Sequence, residues 1–383
     1  MSKYIENKRG YLRLRQKGGN DTCMKLGCKC QSSRKCTCKH SKHLSFEHEN
    51  KWLFNEPALL GILGKLHEPI IKQIACGSFH SLALLSDGTI ITWGSKLMNT
   101  VPDDVQGRVI KIAGTYFFSV AVLNDNTICI WNDDEKYMIS DFGDRIVKQI
   151  TTRETNLVVL LNDGSLREWY LADDYGVREY IVTLDLSNTK FPDAKIIQIG
   201  TETDISVGLL DNGAIKIWKL VSRENGEFVR VYYDSEVPVH VTKNVKQIAC
   251  GNNFSIALLK NDRIAGWGAN YCGSVSATLR FNKGYSKKEV KQIACGKDYS
   301  LVLFTDGFVE VLAMVGHMSI PVAMARRIQG HVVQIACGYQ HALVSLDDDT
   351  VAGWYYVRQD WGGHFCEIPT EEIREIPDKI RGF

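Results

Sequence analysis

The chain has 383 residues, of which 44% are hydrophobic, 10% aromatic and 23% charged, and its formal net charge is +2. That balance excludes a disordered chain, and no apolar run approaches the roughly 20 residues that cross a bilayer as a helix, so no membrane partner is expected. The small net charge hides an asymmetry: residues 1–45 hold 12 Lys and Arg against Glu6 and Asp21, and the remainder is net acidic.

The first element is therefore a basic N-terminal arm, residues 1–45, followed by a body spanning 46–383. The opening "MSKYIENKRGYLRLRQKGG" is charged with no apolar centre, so it is not a secretory signal, and an intracellular protein with reduced thiols, nuclear or cytoplasmic rather than secreted, is expected. Lys3, Lys8, Arg9, Arg13, Arg15, Lys17, Lys25, Lys29, Arg34, Lys35, Lys39 and Lys42 are the candidates for binding nucleic acid or another polyanion, because phosphate contacts release counterions. A solubilising tail is the bland alternative. The same arm holds Cys23, Cys28, Cys30, Cys36 and Cys38 with His40 and His43. Zinc takes four thiolate or imidazole ligands in a tetrahedron, so zinc is the candidate cofactor of the arm. The spacing Cys-x4-Cys-x-Cys-x5-Cys-x-Cys matches no standard finger or ribbon, and a reduced, flexible tail is the competing reading.

The body is a repeat. Aligned on the Ile of "QI", copies recur at Ile74, Ile112, Ile150, Ile199, Ile248, Ile293 and Ile335. A Trp stands 19 residues later in six copies, Trp93, Trp131, Trp169, Trp218, Trp267 and Trp354, with Leu312 in the sixth copy. Asn, Asp and Gly pairs stand at +13 and +14, from Asp87-Gly88 to Asp348-Asp349, where a two-residue hairpin turn with φ > 0 is expected. Each copy thus reads as a buried inner strand ("IKQIACG"), an apolar second strand ("SLALL"), a turn and a returning strand ("TIITW"), with room for one more. The copies start near 71, 109, 147, 196, 245, 290 and 332, at intervals of 38 to 49 residues. A four-stranded propeller blade needs about that length, and blades bury both faces only by stacking. The fold class is all-β, a seven-bladed β-propeller with a basic, Cys-rich N-terminal arm.

The pattern "IACGxxHSLALxxDGxxxxWG" resembles the regulator of chromosome condensation repeat, which forms a seven-bladed propeller, and the resemblance spans about Leu66 to Phe383. Copies three and four lack the Ala-Cys-Gly, and the family's His stands only at His80 and His341, replaced elsewhere by Phe118, Asn156, Ile205, Phe254 and Tyr299. Propellers of this family tend to close by sharing a blade between their termini, which makes Glu49 to Leu66 the expected partner of the last blade around Trp354 to Trp361.

Function is less legible. Cys76, Cys250, Cys295 and Cys337 share one repeat slot and are read as small buried hydrophobes rather than as a metal or redox centre. The Trp series reads as core, and His80 and His341 as structural histidines, since acid–base chemistry needs convergent groups rather than one residue repeated around a ring. No GxxxxGK(S/T), GxSxG or HExxH is present. No enzyme is expected, nor a cofactor for the propeller. The expected function is a non-catalytic scaffold that presents loops to protein partners. Two inserts are the candidate partner-binding loops: Asp173, Asp174 and Arg178 in copy three, and Glu224, Asn225, Gly226 and Glu227 in copy four, where Asn-Gly signals a hairpin. The resemblance implies two alternatives. One is guanine-nucleotide exchange on a small GTPase, with the copy-three insert as the wedge. The other is chromatin or nucleic-acid association through the arm. Repeats of this type also occur in large DNA viruses and the residue usage suits an AT-rich genome, so a virion protein is a further reading. Inhibition of a secreted enzyme, known for bacterial relatives, is disfavoured by the missing signal.

Overall fold

The computed structural model describes residues 69–94, 100–153, 156–172, 176–180, 194–202, 205–222, 228–232, 244–268, 288–312 and 322–355, with isolated residues and short strands beyond them. The chain divides into two compact units, Met1–Glu68 and Pro69–Phe383, and the second carries the repeats.

Each repeat folds into one antiparallel sheet whose first three strands follow one another in space as in sequence. In the first they are Ile71–Cys76, His80–Leu85 and Ile90–Gly94. A fourth, outer strand is described in the second, third and fourth sheets, at Lys136–Ile139, Gly176–Tyr180 and Phe228–Tyr232. The second strand of the first sheet is buried along its whole length, because neighbouring sheets cover both of its faces. The inner strands pack in chain order from sheet to sheet, and the seventh, Val332–Cys337, packs back on the first, Ile71–Cys76. The seven sheets therefore form a closed ring. At its seam Ile71, Ile74, Leu85 and Trp93 share one apolar cluster with Leu343, Val351 and Ile380.

The repeated residues explain this architecture. All six Trp are buried, at 4% exposure or less, and Leu312 fills the sixth slot at 3%. The Gln before each "QI" Ile clasps the next sheet. Gln73 Nε2 donates to Ile112 O (2.8 Å) while Ile112 N–H donates to Gln73 Oε1 (3.1 Å). The same pair of bonds joins Gln149 to Ile199, Gln198 to Ile248, Gln247 to Ile293 and Gln292 to Ile335. Gln334 closes the ring by donating to Lys72 O (2.9 Å), two residues before the equivalent Ile74. The second sheet has Lys111 in this slot, and its joint with the third is instead bridged by Thr152 Oγ1, which donates to Gly114 O.

The turns correct the expectation of a two-residue loop. Gly88 N–H donates to Leu85 O, and Leu85 N–H to Thr89 O, which is a type I turn followed by a left-handed residue in a bulge, and the bond pair recurs in all seven sheets. Only the second residue of each pair is left-handed: Gly88, Asn126, Gly164, Gly213, Asp262, Gly307 and Asp349. The first residue is Asp or Asn for another reason. Its Oδ1 accepts the N–H two residues on, as in Asp87 to Thr89 and, around the ring, Asp125, Asp163, Asn212, Asn261, Asp306 and Asp348.

Two further features were not expected. A short helix, Val322–Ile328, lies between the sixth and seventh sheets and buries Met324 and Ile328 in their shared cluster. The outer position on the seventh sheet is taken by Glu371–Glu372, which pairs with Trp354 and Tyr355. Residues 49–66, expected to partner the last blade, lie outside the described residues.

Candidate functional site

The described residues of the loops between inner and second strands emerge on one face of the ring, around its axis. The recurrent Gly of "ACG" is there because a ring side chain three residues later lies against it. A Cβ on Gly77 would stand 2.1 Å from His80 Cε1, one on Gly251 2.1 Å from Phe254 Cε1, one on Gly296 2.0 Å from Tyr299 Cε1, and one on Gly338 2.3 Å from His341 Cε1. Where the ring is lost, at Asn156 and Ile205, the Gly slot is free to hold a side chain, and it holds Arg153 and Glu202.

These rings also tie neighbouring sheets together. His80 Nε2 is 3.1 Å from Ser119 Oγ, and His341 Nε2 is 3.1 Å from Ser81 Oγ across the seam. Tyr299 O–H donates to His341 O (2.5 Å). In the fourth sheet Glu202 takes over this task and accepts a bond from Ser255 Oγ of the fifth. Burial lowers the pKa of His80 to about 3 and that of His341 to about 4, so both are neutral near pH 7 and serve as structural hydrogen-bonding groups.

Inside the ring is an axial cavity of about 240 Å³, lined by inner-strand residues of all seven sheets. The four recurrent cysteines, Cys76, Cys250, Cys295 and Cys337, line it. Burial raises the pKa of each thiol, with the Glu202 carboxylate adding to the effect at Cys250. Near pH 7 they are thiols rather than thiolates, and a thiol is a weak nucleophile. Among the described residues no three His, Cys, Asp or Glu converge as a metal site. Arg153 is the one charged side chain in the lining. It reaches across the axis from the third sheet, and its Nη2 donates to Cys250 O (3.2 Å) in the fifth and Gly296 O (3.1 Å) in the sixth. Sequence reading missed Arg153; its one signal was a charge in a slot that holds Gly in four of the seven copies.

Around the mouth of this cavity the same loops of the seventh, first and second sheets present aromatic rings. Phe79 packs edge-on against Tyr116 with centroids 5.2 Å apart and lies 6.2 Å from Tyr339, while Tyr116 contacts Phe117 at 4.4 Å. Phe79 is 47% exposed. From the sixth sheet, Lys297 Nζ sits 4.3 Å from the centre of the Tyr339 ring. This cluster too was missed, because its residues vary from copy to copy and meet only once the ring closes.

The residues singled out from sequence fall elsewhere. The side chains of the arm's basic series and of Cys23, Cys28, Cys30, Cys36, Cys38, His40 and His43 lie outside the described residues. Asp173 and Asp174 lie in the connection between the paired strands Leu166–Ala172 and Gly176–Tyr180, and Arg178 is on the second of these. Glu224, Asn225, Gly226 and Glu227 connect Ile215–Ser222 to Phe228–Tyr232. Both inserts therefore include third-to-outer-strand hairpins, and the turn residues themselves are outside the described set. Among the described residues no helix is long and apolar enough to cross a membrane.

Comparison with known proteins agrees with this geometry. The family model described as "Regulator of chromosome condensation (RCC1) repeat" matches residues 71–96 and 245–274, in the first and fifth sheets. No curated protein matches the chain. Among solved structures, the chain is similar to human WBSCR16, with a TM-score of 0.55 and 16% identity over 72% of this chain and 86% of that one. It is also similar to the CRINKLY WD40 ectodomain of the Arabidopsis thaliana receptor kinase ACR4, with a TM-score of 0.51 and 12% identity over 79% of this chain and all of the other. The ectodomain of the Physcomitrella patens receptor kinase CR4 gives a TM-score of 0.51 and 12% identity, covering 77% of each chain. At these identities the likeness concerns the fold alone.

Proposed function

We propose that this chain, a ring built of regulator of chromosome condensation repeats, is a non-catalytic scaffold that binds a protein partner through the face carrying Phe79, Tyr116, Phe117 and Tyr339. The observation behind this reading is the aromatic cluster at the axial mouth, with Phe79 47% exposed. Aromatic side chains supply much of the energy of protein interfaces, and a large exposed ring at the centre of a rigid face is the usual place for an anchor. The non-catalytic part of the proposal is supported by the protonation states inside the ring, where two histidines and four thiols are held neutral. A histidine with so low a pKa is a weak base, and a protonated thiol is a weak nucleophile, near pH 7. The copy-three and copy-four hairpins add no observation in favour of nucleotide exchange.

The test is cross-linking of the full chain to its partner in cells, followed by binding of the purified pair. Phe79→Ser and Tyr116→Ser are expected to weaken binding at least about tenfold, as hot-spot truncation does. Phe308→Ser, at an exposed ring beside a turn on the opposite face, is expected to leave it unchanged. The reverse pattern would move the interface to the turn face and refute the assignment.

A further inference from the structure

Arg153 poses a question that its structural role leaves open. A guanidinium carries a fixed positive charge and five N–H donors. Here Nη2 serves two carbonyls, while Nε is buried with no partner. No described carboxylate forms an ion pair with it. Glu202, one sheet away, turns its carboxylate to Ser255 and is not part of the cavity lining. The thiols of the lining are neutral, so they supply no countercharge. Arg153 is half-buried, and a guanidinium that lines a cavity with only carbonyl partners keeps donors available to an anion.

The rest of the lining narrows what that anion is. The amides of Gln149, Gln198 and Gln247 are committed to the clasps between sheets. Thr152 Oγ1 donates to Gly114 O. Thr201 is different: it lines the same cavity, is 4% exposed, and its Oγ1 is buried without a partner. The cavity therefore combines one guanidinium without an ion pair among the described residues, a Thr201 hydroxyl without a hydrogen-bond partner, and a lining with no other charged side chain. Its 240 Å³ equals roughly eight water volumes, room for an oxyanion with a small substituent.

We propose that the axial cavity is a binding site for a small oxyanion, the phosphate or carboxylate group of a low-molecular-weight ligand, paired with Arg153 and accepting a hydrogen bond from Thr201. Phosphate and carboxylate share the geometry that a guanidinium recognises, and Tyr339 belongs both to this lining and to the partner-binding face proposed above.

Titration calorimetry of the full chain with inorganic phosphate and, separately, acetate at constant ionic strength tests this. One of the two anions is expected to bind saturably at one site per ring, and which one does so identifies the class. Arg153→Met is expected to weaken that site at least about tenfold, the loss of one charge-assisted contact. Thr201→Val, which leaves the bonds of Arg153 intact, is expected to weaken it by a smaller factor and decides the matter should Arg153→Met fail to fold. Absence of a saturable site for both anions overturns the proposal. So does binding that Arg153→Met and Thr201→Val leave unchanged, which would assign the heat to the basic arm.

Discussion

Lowering the pH from 7 to 5 is expected to weaken the ring through His80 and His341. Burial holds their pKa at about 3 and about 4, against about 6.5 in an unfolded chain. Above that value both states are neutral and pH has no effect through these groups. Below it the unfolded chain takes up protons that the native ring refuses, so stability falls as pH falls. At pH 5 each histidine accounts for a loss of about 2 kcal/mol, about 4 kcal/mol together. Asp104, Asp125, Asp163 and Asp306, whose pKa values are lowered, act in another window. Their stabilisation is present above the ordinary carboxylate pKa of about 4 and is lost below it, so it does not contribute between pH 7 and 5. Urea unfolding of the wild type and of His80→Phe/His341→Phe at both pH values isolates the two histidines, and the repeat itself places Phe in this slot at Phe118 and Phe254. The double variant is expected to lose about 4 kcal/mol less than the wild type between pH 7 and 5. Equal losses in the two proteins would show that these rings are not held neutral by burial.

Gly251→Ala would press a Cβ to 2.1 Å from the Phe254 ring and is expected to cost about 1–3 kcal/mol by urea unfolding. In Gly251→Ala/Phe254→Ala the combined loss should fall short of the sum of the single losses. Trp131→Ala, which empties a fully buried slot, is expected to cost about 3–5 kcal/mol in the same assay. Iodoacetamide is expected to leave Cys76, Cys250, Cys295 and Cys337 unmodified in the folded protein and to alkylate all four in urea, as read by peptide mass spectrometry, because burial keeps them protonated.

What could be read from the sequence was what each sheet dictates for itself. The Trp at +19 and the Asp or Asn at +13 act within one copy or at its nearest joint, so they recur at fixed offsets and were visible. The left-handed residue at +14 was visible too, but the turn type was not. Asp and Asn are compatible with several turns, and only the bonds Gly88 N–H to Leu85 O and Leu85 N–H to Thr89 O distinguish the bulged one. The pairing of Gly at +3 with a ring at +6 was legible in principle in Gly77–His80, Gly251–Phe254, Gly296–Tyr299 and Gly338–His341, and it breaks at Thr115–Phe118. The features around the axis were not legible. Arg153 meets carbonyls 97 and 143 residues away, and Phe79 meets Tyr339 across the seam, so neither contact leaves a local pattern. The candidate loops chosen for their length connect third strands to outer strands, and their turn residues lie outside the described set.

The central claim is that the seventh sheet returns to the first. Ser81 and His341 are 260 residues apart in sequence, yet Ser81 Oγ lies 3.1 Å from His341 Nε2. A double-mutant cycle with Ser81→Ala and His341→Phe measures that contact directly. The closed ring predicts a coupling of about 0.5–1.5 kcal/mol at pH 7. Strictly additive losses would mean that the two residues do not meet, and would contradict it.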